Sequence, residues 1–217
     1  VGWALAAHQD LTADGIAEVL VGCPRESGGS QNSEEIQVLD GSTGLQLWMI
    51  SVIGNNDLGA ALAEGPDIDG DGVKDIVAGM PRANASAGAL RVFSGVNGAQ
   101  LRSWTAPVPG RTGAAVSVLP DLNGDGREEL AVASESAVTV LMAGIFVNGA
   151  VDILSTAGTS LTLLHHIVHP ATPFHSIDSV GMSVGLLTDV TGDGVADLGI
   201  GAIGGRSGFV PAGGGGG

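Results

Sequence analysis

The chain has no tyrosine, and phenylalanine and tryptophan together make up only 3% of its 217 residues. A core built on stacked aromatic rings is therefore excluded, and Val, Ile, Leu and Ala must fill it, within a hydrophobic content of 44%. Cys23 is the single cysteine, so no internal disulfide can form and no four-cysteine metal site can exist. Basic residues are scarce: eight Lys and Arg stand against 23 Asp and Glu, for a formal charge of -15. That balance repels nucleic-acid phosphates and anionic membrane surfaces and favours cations as partners. No apolar run approaches the ~20 residues of a membrane-spanning helix. The N-terminus carries neither Met nor a charged-then-apolar leader, as expected of a processed or partial chain.

Glycine, by contrast, is abundant, with 37 copies, and it falls in a repeating pattern. The segments Asp67–Asp75, Asp121–Glu129 and Asp189–Asp197 share the form Asp-x-(Asp/Asn/Thr)-Gly-Asp-Gly-x-x-(Asp/Glu), and Asp10–Glu18 is a weaker copy. Their first residues are 57, 54 and 68 positions apart. Eight positions before each first Asp stands Gly2, Gly59, Gly113 or Gly181, and twelve after it stands Gly22, Gly79, Ala133 or Gly201. Each unit reads as strand, acidic loop, strand. In the first two units two more strands follow: Ile36–Leu39 and Leu90–Phe93 end in glycine turns, and Leu45–Ile50 and Ala99–Trp104 can supply the fourth strand. Four short antiparallel strands per repeat describe a blade of an all-β propeller.

These features resemble the FG-GAP repeat of integrin α-subunit propellers, through Leu58-Gly59, Thr112-Gly113 and Val180-Gly181, the acidic loops, and the endings Gly22-Cys-Pro24 and Gly79-Met-Pro81. The family's Phe is absent, and the third and fourth repeats lack the Pro. The repeats run over about 1–57, 58–111, 112–179 and 180–210, followed by a Gly-rich tail at 211–217. Integrin-like propellers use seven blades, so four leave three readings, a four-bladed ring, part of a longer propeller or a subunit completed by a neighbour, of which the second and third are favoured. The last repeat stops soon after Phe209-Val210, short of its outermost strands, and the unpaired edge is a candidate surface for self-association.

The loops carry the chemistry. Oxygen-bearing residues at positions 1, 3, 5 and 9, with glycines at 4 and 6, suit a hard cation that takes 6–8 oxygens, namely Ca²⁺. The expected ligands are Asp67, Asp69, Asp71, Asp75 and the Val73 carbonyl in the second loop. They are Asp121, Asn123, Asp125, Glu129 and the Arg127 carbonyl in the third, and Asp189, Thr191, Asp193, Asp197 and the Val195 carbonyl in the fourth. The first loop offers Asp10, Thr12, Asp14, Glu18 and the Ile16 carbonyl. With Thr12 at position 3 and Ala13 where the others have glycine, it ranks weakest, and the second ranks tightest among up to four sites. An EF-hand needs an acid at position 12 and a following helix, whereas Val21, Ala78, Val132 and Ile200 stand there. Isolated Asp-Gly turns are common on surfaces, but these four in register hold 13 of the 23 acids.

Other signals are weaker. Gly181-Met-Ser-Val-Gly185 matches a nucleophile-elbow pattern, yet its repeat equivalents Gly59–Ala63 and Gly113–Ser117 place Ser183 inside a strand. His165, His166, His169 and His175 in the third repeat read as a solvated or partly packed loop rather than a transition-metal site. Trp3, Trp48 and Trp104 read as packing residues before a glycan platform, and Asn84-Ala-Ser86 is a glycosylation sequon in a polar turn. No acid, base and nucleophile converge, so catalysis is not expected. The reading is an extracellular or cell-surface calcium-stabilised scaffold for adhesion, protein or glycan contacts, or assembly into a filament, without nucleic acid or a membrane span. The alternative is a non-catalytic repeat region of a secreted polysaccharide- or lipid-degrading enzyme.

Overall fold

The computed structural model describes residues 2–24, 33–107, 110–141, 145–168, 180–192 and 196–202. Within them, three four-stranded antiparallel sheets and one strand pair follow the repeats in order. Strands β1 (Ala4–His8), β2 (Glu18–Cys23), β3 (Ser33–Leu39) and β4 (Gln46–Ile53) form the first, each hydrogen-bonded to the next. The second holds β5 (Leu62–Glu64), β6 (Ile76–Met80), β7 (Ala89–Phe93) and β8 (Gln100–Trp104). The third holds β9 (Thr112–Leu119), β10 (Glu129–Leu141), β11 (Ile145–Ser155) and β12 (Thr162–Ile167), and β13 (Val180–Leu186) pairs with β14 (Leu198–Ala202). This is an all-β arrangement of propeller-like blades. Among the described residues the fourth repeat contributes one strand pair, and Phe209, Val210 and the tail lie outside them.

The core lies between blades. Leu20, Ile36, Val38 and Ile50 of the first sheet meet Leu58, Ile76, Ala78, Met80 and Phe93 of the second. Val77, Leu90 and Val92 on the second sheet's other face meet Leu130, Val132 and Leu154 of the third. Ala131, Ala133, Val151 and Ile153 in turn meet Val184, Leu198 and Ile200. Strand alternation sends neighbouring residues to opposite faces, so each central strand must be apolar on both sides. That is why Ile76–Met80 is buried at all five positions. Trp48 and Trp104 pack against these clusters as expected, whereas Trp3 is 76% exposed.

The repeated glycines sit where adjacent blades come closest. Gly2, Gly59, Gly113 and Gly181 all have positive φ, from 77° to 92°. A Cβ on Gly22 would overlap the carbonyl oxygen of Gly59, and one on Gly79 would overlap that of Gly113. One on Gly181 would stand 2.9 Å from the Cβ of Ala133. Gly59 also donates its N–H to Gly79 O at 3.1 Å. The glycine twelve places after one acidic loop's start is thus the seat for the glycine that opens the next repeat.

Two junctions are built differently. Between the first and second blades, the buried Glu34 carboxylate accepts the N–H groups of Asn56, Asp57 and Leu58 at 2.5, 2.8 and 3.2 Å. Between the second and third, backbone groups make the corresponding link: Arg111 N–H donates to Ser86 O at 3.2 Å and Thr112 N–H to Ala87 O at 3.1 Å. The sequon's Asn84 lies in the exposed turn before β7, with φ of 52°. Ser183 lies inside β13, as the repeat alignment predicts.

The structure corrects one expectation. His165 and His166 do not lie in a loop but on β12, because residues 162–167 pair with β11. His166 Nδ1 lies 2.5 Å from Asp152, which is fully buried. His169 and His175 lie outside the described residues.

Gly79→Ala is expected to cost about 2–3 kcal/mol, since a methyl group there has no space against fixed backbone. Gly185→Ala, with nothing within 4 Å of the added carbon, is expected to stay within about 0.5 kcal/mol. Equal shifts of the two urea midpoints would contradict the docking role of Gly79.

Candidate metal centre

Each acidic loop joins the first two strands of its repeat, and its first carboxylate organises the turn. Asp67 accepts the N–H groups of Gly70, Asp71 and Gly72 at 2.7, 3.2 and 2.9 Å. Asp121 does the same for Gly124, Asp125 and Gly126 at 2.7, 3.2 and 2.8 Å. Asp10 binds Asp14 and Gly15 N–H at 3.3 and 2.7 Å, and Asp189 binds Gly192 N–H at 2.6 Å. These donors hold the Asp10, Asp67 and Asp121 carboxyls below the ordinary carboxylate range. The fifth position adds a smaller turn, with Asp14, Asp71 and Asp125 accepting from Ile16, Val73 and Arg127 at 2.8, 2.8 and 2.9 Å.

The glycine at position 4 adopts a left-handed backbone that it takes up at little steric cost, with φ of 80°, 81° and 79° at Gly70, Gly124 and Gly192. Ala13 adopts the same conformation in the first loop, φ 61°. The loop shape therefore survives the substitution at a steric cost of about 1 kcal/mol.

The ninth-position acids behave unlike the others. Glu18, Asp75 and Glu129 are all but completely buried. Each accepts the N–H of the residue at position 2: Leu11 at 2.9 Å, Ile68 at 2.7 Å and Leu122 at 2.6 Å. Asp197 repeats this with Val190 at 2.5 Å. Glu18 and Asp75 also accept from Gly41 and Gly95, at 2.9 and 3.2 Å, in the turn between the third and fourth strands. A Cβ at either glycine would overlap the carbonyl of the eighth loop residue, Ala17 or Lys74. In the third blade Thr156 Oγ1 donates to Glu128 O at 2.8 Å instead. The buried acid thus ties the acidic loop to the far turn of its blade. Sequence reasoning missed this second role, although the turn glycines recurring in Asp40-Gly41 and Ser94-Gly95 mark it.

Two loops bring three carboxylates together. Single oxygens of Asp67, Asp69 and Asp71 lie within 4.8 Å of one another, as do those of Asp121, Asp125 and Glu129. Asn123 stands beside the latter, its amide donating to Glu129 at 2.9 Å. Asp75 is close enough for Asp69 and Asp67 to raise its pKa, but burial is the larger cause, and together they push it to about 6. Burial raises Glu129 too, with Asp125 and Asp121 adding to the effect. Of the fourth loop's expected ligands, Asp189, Thr191 and Asp197 are described, Thr191 donating to Asp189 at 3.4 Å, while Asp193 and Val195 lie outside the described residues. The donors are all oxygen, which fits a hard divalent cation and not a soft one.

Comparison with known proteins agrees with this geometry. Residues 67–132, spanning the second and third loops, match the FG-GAP-like repeat. Residues 67–132 carry an FG-GAP-like repeat. Mouse integrin alpha-2 is 27% identical over 122 residues, 52% of this chain and 10% of the integrin. Drosophila melanogaster integrin alpha-PS2 is 27% identical over 180 residues, 82% of this chain and 13% of the integrin. The chain therefore spans only about a tenth of the length of these relatives. Among solved structures, the Bacillus licheniformis rhamnogalacturonan lyase PL11 superposes over 89% of this chain and 39% of its own, with a TM-score of 0.52 and 17% identity. The exotype rhamnogalacturonan lyase YesX gives 0.53 at 16% identity over 89% of this chain and 38% of its own. At such identity the likeness concerns the fold.

A second feature lies where the blades converge. A cavity of about 750 Å³ is lined by the residue after each repeat glycine, Trp3, Ala60, Ala114 and Met182, and by Arg82 and Arg111. Both arginines are in ion pairs, Arg82 with Asp57 at 2.9 Å and Arg111 with Glu135 at 2.8 Å.

The raised pKa of Asp75 has a definite sign. The fold favours its neutral form, so its contribution is fullest below the ordinary 3.8 and is lost as pH rises through about 6. Buried His8, held below its ordinary 6.5 because burial outweighs Glu64 and Glu18, acts oppositely and loses stability as pH falls. The difference between Asp75→Asn and the parent isolates the carboxyl. In chelator, it should move in the variant's favour between about pH 4 and about pH 7, read from urea midpoints. A pH-independent difference would contradict the assignment.

Proposed function

We propose that this chain is an extracellular β-propeller scaffold, made rigid by Ca²⁺ and acting through contacts with protein or glycan partners rather than through catalysis. The observation that carries the reading is the recurrence, at one place in successive repeats, of an oxygen-only cluster on a turn already shaped by its own backbone N–H groups. In the second loop Asp67, Asp69 and Asp71 would hold the ion with the Val73 carbonyl, and Asp75 would support them from the buried side. In the third, Asp121, Asn123, Asp125 and Glu129 would do so with the Arg127 carbonyl. The bound ion supplies charge neutralisation: it relieves repulsion among carboxylates that only the folded chain brings together. Its binding free energy adds to that of folding, about 2.7 kcal/mol per site at a hundredfold excess over Kd. Millimolar extracellular calcium suits sites of this class, and adhesion is the role that the integrin relatives suggest.

A second reading is favoured by one observation, the fold likeness to rhamnogalacturonan lyases over 89% of the chain. On that reading these repeats are a non-catalytic region of a secreted polysaccharide-degrading protein. Hydrolysis or elimination of a polysaccharide by the purified chain, lost on substitution of Arg82 or Arg111, would overturn the non-catalytic assignment in both.

Millimolar calcium is expected to raise the melting temperature measured by calorimetry, with magnesium giving a smaller shift and chelator reversing it. Asp71→Ala should remove more of the calcium-dependent shift than Asp14→Ala, because the first loop lacks an acid at position 3. An unchanged melting temperature on calcium addition would eliminate the structural-ion role, and equal losses would eliminate the ranking of the loops.

A further inference from the structure

The first two acidic loops are joined by one side chain. Gln9, half-buried, stands immediately before Asp10 and reaches into the second blade at both ends of that blade's loop. Its N–H donates to Glu64 Oε1 at 2.6 Å, where β5 ends just ahead of Asp67. Its own Oε1 accepts the N–H of Lys74 at 2.9 Å, beside Asp75, which closes the loop. Gln9 is held from behind, since its neighbour His8 is buried and His8 Nδ1 lies 3.3 Å from the same Glu64 oxygen. Lys74 is held from the other side, because its carbonyl fills the space that a Cβ on Gly95 would need.

What Gln9 grips is the back of an expected ligand. The N–H of Lys74 and the carbonyl of Val73 belong to one peptide unit, which is planar and trans, so the two groups point in opposite directions. A hydrogen bond to the N–H therefore aims the Val73 carbonyl, the backbone oxygen assigned above to the second loop's cation. The effect runs both ways. A bonded N–H makes the carbonyl across the same peptide a stronger acceptor, and a cation on that carbonyl makes the N–H a stronger donor to Gln9. On its other side Gln9 is one peptide link from Asp10, whose carboxylate shapes the first loop. The residues equivalent to Gln9 in the later repeats are Pro66, Pro120 and Thr188, and a proline side chain offers no acceptor to the third or fourth loop. The second and third loops share a Lys74 Nζ–Glu128 contact of 3.6 Å between half-exposed side chains, and such pairs contribute little.

We propose that cations bind the first and second loops cooperatively, with Gln9 as the positioning residue that couples them. Occupancy of the second loop fixes the Lys74 peptide, hence Gln9 and the start of the first loop, so the weakest loop is filled with help from the tightest. Reciprocity requires an ion in the first loop to tighten the second by the same factor. One neutral hydrogen bond carries the coupling, which sets its size at about three- to tenfold in affinity. The inference rests on the calcium reading given above and adds a regulation to it.

Calcium titration of the full chain, followed by NMR through the backbone amides of Gly15, Gly72 and Gly126, reads the occupancy of the first, second and third loops separately. Asp71→Ala removes a ligand from the second loop and should raise the calcium midpoint at Gly15 about three- to tenfold. Asp14→Ala should raise the midpoint at Gly72 by the same factor, with Gly126 moving less than about twofold in both variants. Gln9→Met keeps the length of the side chain without its oxygen acceptor and should abolish both cross-effects, whereas Gln9→Glu keeps the acceptor and should retain them. The spectra themselves show that each variant is folded. A Gly15 midpoint that ignores Asp71→Ala, a cross-effect that survives Gln9→Met or is lost in Gln9→Glu, or a first loop that takes no calcium while the second does would each overturn the coupling and leave the calcium reading standing. No calcium-dependent change at any of the three glycines would overturn both.

Discussion

Backbone must approach backbone between successive blades, and most of the sequence follows from that requirement. With Gly22 against Gly59 and Gly79 against Gly113, adjacent sheets come together at one end with no side chain between them. The inter-blade layer is filled mainly by Leu, Ile, Val and Ala, with Met80 and Phe93 buried in it and Trp48 and Trp104 packed against its margin. The positive φ of the second glycine in each pair does the other half of the work, turning the chain into its new strand where a β-carbon would be strained. The third junction shows the tolerance of this device: Ala133 replaces the first glycine, and its methyl rests 2.9 Å from where a Cβ on Gly181 would stand.

The acidic loops solve a different problem at the far end of the same strands. A loop entering β2, β6 or β10 must begin a strand buried on both faces, and its carboxylates cannot all follow. Positions 1, 3 and 5 remain largely exposed, whereas position 9 enters the interior and is satisfied there by N–H groups from its own loop and, in the first two blades, from the β-turn across the sheet. A buried carboxylate without such donors would cost several kcal/mol. With them it fastens three segments of one blade. Each loop is therefore both a turn and a clamp, and a cation at its exposed side would act on an arrangement the buried side already holds.

The repeats, their strands and the loops were legible because each has a local signature: alternating or doubly apolar runs for strands, Asp and Gly at fixed offsets for turns. What was not legible depends on residues distant in sequence. Glu34 carries no local signature, yet it binds three N–H groups more than twenty residues away, at Asn56 to Leu58. His165 and His166 read as part of a loop, and only the pairing of residues 162–167 with β11, beside the buried Asp152, shows a strand there. The ninth-position acids were found as candidate ligands on loop spacing alone, which carries no information about the distant glycine turn that buries them.

Ala13 separates what shapes the loop from what an ion would add. Were glycine's freedom the cause of the turn, replacing it at position 4 should change the path of the chain. Instead Ala13 takes up φ of 61°, close to its glycine counterparts, while Asp10 still gathers the N–H groups of Asp14 and Gly15. The first carboxylate therefore sets the geometry, and glycine lowers its steric cost. It follows that the oxygens of Asp67, Asp69 and Asp71 are brought within 4.8 Å of one another by hydrogen bonds the loop makes to itself. The repulsion among them is a cost the fold bears in advance, and a cation arriving there would gain affinity from order it need not create.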